Sequence, residues 1–194
     1  MDFFSNESFK KWCWIELIGF DNTSDDFGVS DFISRAGFVP TGVSLLISWL
    51  GFVFEHEGIE NEKRLNPGEC SYVGHRFCPE RERQNWTNYQ LKGLVNSLHK
   101  HGIQVYISFF NYCSYLDDNK NIFKDPFHIN HPEVFEKDSE KEPYISTHML
   151  KRLSDGSFYE DILQEKTVKV LCDYNFDGLQ IADGISHFAI VNMP

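Results

Sequence analysis

Four short apolar segments alternate with helix-like segments along this chain, and that alternation constrains the fold more than any other feature. We predict strands over residues 12–19, 43–54, 103–110 and 176–181, and helices over residues 29–36, 87–101 and 158–174. The strand segments are nearly continuous in apolar residues, as in parallel strands that are covered on both faces. Strand–helix alternation predicts an α/β fold with a parallel sheet and right-handed crossovers.

Local signals mark where the predicted helices begin and end. Thr87 and Gln90 have the spacing of a capping box at the start of the second helix. Gly37 and Gly102 follow apolar periodic runs, so we expect each of them to end a helix.

The longest connections follow strands and do not precede them. Residues 55–84 and 111–155 are polar segments of about thirty and forty-five residues, and only one helical turn is predicted within them, near residues 131–135. Loops of this length in a compact domain are usually functional. In a barrel of parallel strands, the loops after the strands form the active face.

Composition narrows the function classes. Lys and Arg total 18 against 29 Asp and Glu, which gives a formal charge of −11. Because nucleic-acid binding depends on basic patches, we expect no nucleic-acid partner. The most apolar stretch, residues 39–54, is interrupted by glycine, proline and serine, so we expect no membrane span. The amino terminus lacks the pattern of a signal peptide, and we expect a cytoplasmic protein.

The cysteines do not indicate disulfides or a metal. There are five, an odd number, and we expect reduced thiols. Cys70, His75 and Cys78 lie close in sequence, but their spacing does not match common zinc sites. No phosphate-binding glycine loop, nucleophile elbow or dinucleotide fingerprint occurs, so we expect neither a metal nor a cofactor.

Two segments carry a resemblance to a known superfamily. Residues 99–111 (HKHGIQVYISFFN) resemble the helix, glycine, strand and polar-tip element of (β/α)8-barrel glycoside hydrolases, and residues 173–184 (DYNFDGLQIADG) resemble the fourth strand of that superfamily. The resemblance covers most of the chain and is best over residues 91–184. It implies the amino-terminal half of a TIM-type barrel and O-glycosyl hydrolysis of a carbohydrate. We therefore expect residues 1–194 to form a single partial barrel domain, truncated after strand four and incomplete or inactive alone.

The resemblance also points to a catalytic residue. An apolar strand that ends in Asp183 and a glycine would present a carboxylate at the carboxyl end of the sheet, where such enzymes bind substrate. Alpha-amylase-like enzymes usually have this carboxylate one position earlier, where Ala182 stands here. The alternative is that Asp183 is a turn residue, because Asp-Gly is a common turn dipeptide. Asp177 is expected to cap the start of the same strand.

Five further residues are candidates for contacts with the sugar. Asn111 and Tyr112 directly follow the third strand, and His187 lies four residues beyond Asp183. Trp49 could stack on a pyranose ring or pack in the core. Glu16 lies within an apolar strand, where an unpaired carboxylate is costly. We therefore expect it to face the barrel interior and to meet either a structural partner or the substrate.

Several hypotheses remain open from sequence alone. Glycosidases need two carboxyl groups, and Glu16, Asp21 and Glu55 are the candidates for the second. Without a second carboxyl group, the chain would be a non-catalytic carbohydrate-binding or scaffold domain. It could also be a complete open sheet that binds a small ligand. The strand order 1-2-3-4 supports a half barrel, and 2-1-3-4 supports the open sheet. Because a half barrel has open edges, we predict a homodimer or association with a missing carboxyl-terminal half.

Overall fold

The computed structural model describes residues 10–47, 49–66, 85–116, 121–136 and 145–182. In chain order the elements are β1 (Trp12–Glu16), α1 (Val29–Ala36), β2 (Gly42–Leu46), α2 (Gly51–Phe54), α3 (Asn88–Lys100), β3 (Gln104–Phe109), β4 (Ser114–Leu116), β5 (Ile122–Lys124), α4 (Pro126–Asn130), α5 (Tyr159–Tyr174) and β6 (Gly178–Ile181).

The principal sheet has four parallel strands in the order β1-β2-β3-β6. Each strand of this sheet therefore lies beside the next one in sequence. This is the order predicted for a half barrel, and it contradicts the open-sheet order 2-1-3-4. The α/β prediction is confirmed, and among the described residues the sheet is not closed into a barrel.

One face of the sheet forms the core with the helices. Every second residue of the central strands points to this face, including Val43, Leu45, Val105 and Ile107, all fully buried. Leu91, Leu94, Val95 and Leu98 of α3 belong to the same cluster. Burial of each such side chain stabilises the fold by roughly 1.5–3 kcal/mol before entropy is counted.

The predicted helix ends are confirmed. The Thr87 hydroxyl accepts from the Gln90 amide at 3.2 Å, and the Gln90 side chain accepts from the Thr87 amide at 2.9 Å. Gly37 follows α1 with φ of 73°, a left-handed conformation in which glycine is not strained.

Two sequence predictions of local structure need correction. The second strand ends at Leu46 instead of residue 54, because residues 51–54 form α2. Residues 17–19 form a 3₁₀ turn instead of extending β1. A short apolar run does not by itself distinguish a buried strand from a buried helix.

The long segment after β3 contains more structure than predicted. It forms the antiparallel hairpin β4-β5 and the helix α4. The helical turn expected near residues 131–135 is confirmed as a 3₁₀ turn over Pro132–Val134.

Candidate functional site

The face of the sheet opposite the helices, here called the inner face, combines tryptophans with hydroxyl and amide groups. The Trp12 indole donates to the Ser44 hydroxyl at 2.8 Å, and the Trp14 indole donates to the Ser108 hydroxyl at 3.2 Å. Ser44 in turn donates to the side-chain oxygen of Gln180. These bonds cross all four strands, because pairing of parallel strands brings their alternate residues to the same face.

Glycines make room for two aromatic rings on this face. A Cβ atom on Gly42 would lie 2.3 Å from the Trp12 ring, and one on Gly178 would lie 2.6 Å from the Tyr106 ring. Trp12 and Tyr106 also contact each other edge to face, with ring centroids 4.9 Å apart. Trp12 and Trp14 remain 43% and 52% exposed. The result is an aromatic surface that is open to solvent on the inner face.

A second aromatic group lies toward the carboxyl ends of the strands. The Trp14 and Phe110 rings meet edge to face at 6.2 Å, and Phe110 stacks with Tyr112 at 5.5 Å. Tyr112 is half-buried, and its carbonyl accepts from the Leu50 amide at 2.8 Å. The candidate residue Tyr112 therefore continues the aromatic surface of the inner face.

Asn111 is held by a reciprocal contact with Thr147. Its side-chain amide donates to the Thr147 carbonyl at 2.7 Å, and its side-chain oxygen accepts from the Thr147 hydroxyl at 2.5 Å. Both residues are buried. The long segment that follows β3 thus returns to the end of that strand and anchors there.

The contact between Asn111 and Thr147 continues into a buried network that sequence inspection missed. The Thr147 side chain hydrogen-bonds to the Tyr159 hydroxyl, which lies 2.8 Å from Nε2 of His128. His128 Nδ1 lies 2.5 Å from a carboxyl oxygen of Asp125, and all three side chains are buried. Burial raises the pKa of Tyr159 well above its usual range. The Asp-Pro start of α4 is the one signal that could have indicated Asp125, since Asp is a favoured N-cap.

Glu16 and Trp49 occupy different environments. Glu16 is half-buried at the carboxyl end of β1, two residues beyond Trp14 and so on the inner face by strand alternation. Its contact with a substrate stays a prediction. Trp49 is 0% exposed and belongs to the buried core. Its ring is enclosed by protein in this structure, so core packing is favoured over stacking on a sugar.

Asp183 and His187 lie outside the described residues, and their roles stay predictions. The strand that precedes Asp183 in sequence is β6, and both of its ends make contacts. The Asp177 carboxylate accepts from the Val105 amide at 2.7 Å and contacts His99 at 2.9 Å, so Asp177 anchors the start of β6 as expected. At the other end, the Ala182 amide donates to the Phe109 carbonyl at 3.0 Å. The carboxyl ends of β3 and β6 are therefore adjacent.

The three candidates for a second carboxyl group differ in their surroundings. Asp21 accepts from the amide and hydroxyl of Thr23, and these bonds lower its pKa. It therefore stabilises its own turn. Glu55 accepts from the Asn66 amide at 3.1 Å, and burial together with the charge of Asp125 raises its pKa. Glu16 is the one of the three that lies on a strand of the inner face.

Metal binding and thiol reactivity depend on the His, Cys, Asp and Glu side chains of the described part of the chain. No group of three or more His, Cys, Asp or Glu side chains there could hold a metal ion. Cys13, Cys113 and Cys172 are free thiols, and burial raises the pKa of Cys113 far above its usual range. Cys70, His75 and Cys78 lie outside the described residues. No helix in the described ranges is long and apolar enough to cross a membrane.

Comparison with solved structures identifies alpha-amylases as similar folds. A noncanonic maltogenic alpha-amylase from Thermotoga neapolitana matches 91% of this chain with a TM-score of 0.52 and 10% identity. A candidate alpha amylase from Salmonella typhimurium matches 92% of the chain with a TM-score of 0.49 and 13% identity. A cycloalternan-forming enzyme from Listeria monocytogenes, in complex with a pentasaccharide substrate, matches 89% with a TM-score of 0.47 and 13% identity. The latter two scores are below 0.5, so the fold likeness depends on the Thermotoga enzyme.

The chain corresponds to only part of each of these three proteins. The chain spans 39% of the length of the Thermotoga amylase, 27% of the Salmonella protein and 16% of the Listeria enzyme. At 10% identity the first match establishes similarity of fold, not of activity. No protein-family model and no curated protein sequence matches the chain.

Proposed function

We propose that this chain is a carbohydrate-active domain built as the amino-terminal half of a glycoside hydrolase barrel. One observation carries the proposal: four parallel strands in sequential order bring polar and aromatic side chains together on the inner face and at the carboxyl ends. In barrels of this architecture the active site lies at the carboxyl ends of the strands. The fold likeness to a maltogenic amylase supports the same class of ligand.

The proposed reaction is hydrolysis of an O-glycosidic bond. Asp183 would act at the anomeric carbon as nucleophile or general acid. Glu16 is our choice for the second carboxyl group, because it lies on the inner face near the carboxyl end of β1. Asn111, Tyr112 and His187 would position the sugar. Trp49, which is buried in the core, would help to hold these residues in position. No metal or cofactor has a part in this scheme.

Hydrolysis of aryl glycosides tests the catalytic proposal. The panel includes 4-nitrophenyl α-glucoside and α-maltoside, with the unmodified chain, Asp183→Asn and Glu16→Gln. We expect any measured rate to fall at least 100-fold in each variant, since each removes an acid–base or nucleophilic group. Asp161→Asn, on the exposed side of α5, is the control and should retain the parent rate. Equal rates in the parent and Asp183→Asn would exclude Asp183 from the mechanism.

A second candidate function is carbohydrate binding without catalysis. The exposed Trp12 and Trp14 rings favour it, because open aromatic faces beside hydrogen-bonding groups suit the apolar faces and hydroxyls of a sugar. All four tryptophans are described, and Trp49 and Trp86 are fully buried. Binding of maltoheptaose at the inner face should therefore protect the fluorescence of Trp12 and Trp14 from acrylamide. Protection with no hydrolysis would favour the binding function, and loss of protection in Trp14→Ala would locate the site.

A further inference from the structure

A cavity of about 240 Å³ lies among the helices, away from the inner face. It is formed by α2, the segment that follows it, the start of α3 and the end of α5. This volume is below the roughly 300–1,000 Å³ of sites for drug-sized ligands, so it suits one small molecule. The residues that matter for its chemistry are Phe52, Glu55, His56, Arg64, Asn66 and Tyr174.

Glu55 and His56 give the cavity two hydrogen-bonding groups in fixed positions. Glu55 is held by the Asn66 amide at 3.1 Å. The His56 ring is 5% exposed, and its Nε2 lies 2.7 Å from a carboxylate oxygen of Asp173. Lys169 contacts that same oxygen at 2.7 Å, which favours an ionised Asp173 that accepts from Nε2. Nδ1 is then the His56 nitrogen left to accept a hydrogen bond.

The ionisation of both groups is shifted toward neutral forms. Burial, together with the charge of Asp125, raises the pKa of Glu55. Burial lowers the pKa of His56, although Asp173 opposes that shift. A cavity with such groups favours a ligand that brings no charge of its own, because transfer of an ion out of water is costly.

The rest of the lining has aromatic surface and balanced charge. The Tyr174 ring lies 5.5 Å from the Phe52 ring and 5.4 Å from the His56 ring, measured between centroids. Lys63 is paired with Glu57 at the rim, so these two charges offset each other. Arg64 adds donor groups and already contacts the Asn85 side chain. Aromatic faces, amides and a carboxyl group together suit a compact molecule with several hydroxyls.

We propose that this cavity binds a single neutral sugar unit, at a site separate from the strand ends. The choice of a sugar rests on the proposed function. The location rests on the cavity and on the contacts of Glu55 and His56. Sugar hydroxyls both donate and accept, so they match the Glu55 carboxyl group, the Asn66 amide and Nδ1 of His56. The aromatic rings of Phe52 and Tyr174 would cover an apolar face of the sugar.

Titration of the isotope-labelled full chain with D-glucose, followed by NMR, tests this site. We expect saturable shifts of the Asn66 and Asn88 side-chain amides, both in the cavity lining. Glu55→Gln should weaken binding about tenfold, roughly the loss expected for one hydrogen bond. Glu62→Gln is the control on the same segment, and it should bind glucose within about twofold of the parent because Glu62 is exposed and is not among the lining residues of the cavity. The dispersion of each variant's spectrum shows whether it is folded.

A second experiment, with Trp14→Ala, distinguishes an error in the cavity proposal from an error in the proposed function. Trp14→Ala should leave the glucose shifts at Asn66 unchanged while it abolishes protection of the inner face by maltoheptaose. If glucose shifts neither Asn66 nor Asn88 while maltoheptaose still protects Trp14, the cavity proposal is wrong and the proposed function stands. If neither sugar has an effect at either place, both proposals are wrong.

Discussion

At the scale of single residues, the most consequential feature is the buried hydrogen-bond network of Asp125, His128 and Tyr159. Buried polar groups are stable in proteins only when their hydrogen bonds are made. Here Asp125 caps α4, contacts the His128 ring, and through it connects to Tyr159 on α5. The network therefore joins the segment after β3 to the helix that leads to β6.

Tyr159→Phe should destabilise the protein by about 1–3 kcal/mol, because it leaves the buried His128 ring without one of its partners. The aromatic ring, and so the packing against Phe54, is retained in this variant. Urea denaturation measures the change in the free energy of unfolding. Tyr89→Phe is the control: it removes an exposed hydrogen bond to the Glu60 carbonyl, and a change below about 0.5 kcal/mol is expected. Equal changes in the two variants would contradict the importance of the network.

Asp26 makes the stability of α1 depend on pH. Its carboxylate accepts from the Ser30 and Gly28 amides. Hydrogen bonds with the Ser30 side chain and amide, together with the Gly28 amide, lower the pKa of Asp26 to about 2. Because the folded pKa lies below the unfolded value of 3.8, the contribution is complete above pH 4 and is lost as pH falls toward 2. Asp26→Ala should cost about 0.5–2 kcal/mol at pH 6, because the Gly28 and Ser30 amides at the start of α1 lose their acceptor.

The decisive measurement is how the loss of unfolding free energy caused by Asp26→Ala changes with pH. Urea unfolding of the parent and Asp26→Ala should give free energies that converge between pH 4 and pH 2. Asp25→Ala removes the same charge from the exposed neighbouring position and should show little difference at any pH. A constant difference between the parent and Asp26→Ala across this range would show that the ionised carboxylate does not stabilise the start of α1.

At the scale of elements, α3 packs against the loop before α1 through a glycine. A Cβ atom on Gly93 would lie 2.4 Å from the Phe27 ring. Phe27 itself has φ of 59°, and its ring lies 6.3 Å from the Trp86 ring, so it has little freedom to move. The glycine inside a helix is thus explained by a close contact with an aromatic ring.

Gly93→Ala tests whether stability is affected more by the contact with Phe27 or by the higher helix propensity of alanine. Alanine alone would stabilise a helix by about 1 kcal/mol relative to glycine. Overpacking against Phe27 should outweigh this gain and destabilise the protein by roughly 1–3 kcal/mol. Asn96→Ala, at an exposed position of the same helix, should be neutral or slightly stabilising. A higher unfolding temperature for Gly93→Ala than for the parent would contradict the packing argument.

At the scale of the whole molecule, the sheet of the described residues has an inner face and two edge strands, β1 and β6. In the described ranges, β1 pairs only with β2 and β6 pairs only with β3. Open strand edges favour further pairing. Two half barrels could close a ring by pairing β1 of one with β6 of the other. We propose that the chain associates in this way, either as a homodimer or with a carboxyl-terminal half barrel.

Light scattering after size exclusion should show a dimer or larger species of the isolated chain. Because each copy has a formal charge of −11, association should strengthen as salt screens the repulsion. Trp14→Asp should weaken association, since it adds a charge to the inner face. Val168→Asp, an exposed apolar position on α5, is the matched control and should leave it unchanged. A monomer at all concentrations and salts would contradict homodimer formation.

The sequence by itself determined the class and order of the principal elements. Apolar runs and capping signals such as Thr87, Gln90 and Gly37 are local, so they identified α1, α3 and α5 closely and located all four parallel strands. Asp177 was also predicted to cap the start of its strand, and its carboxylate accepts from the Val105 amide there.

Only the tertiary structure decided which side chains meet. The burial of Trp49, the clamp between Asn111 and Thr147, and the contact of His128 with Tyr159 join residues from different elements. The cavity at Glu55 and His56 is also decided by tertiary structure, because His56 hydrogen-bonds to Asp173, which is more than a hundred residues away in sequence. Such contacts depend on how strands and helices pack in space, and sequence periodicity reports only which face of its own element a residue occupies.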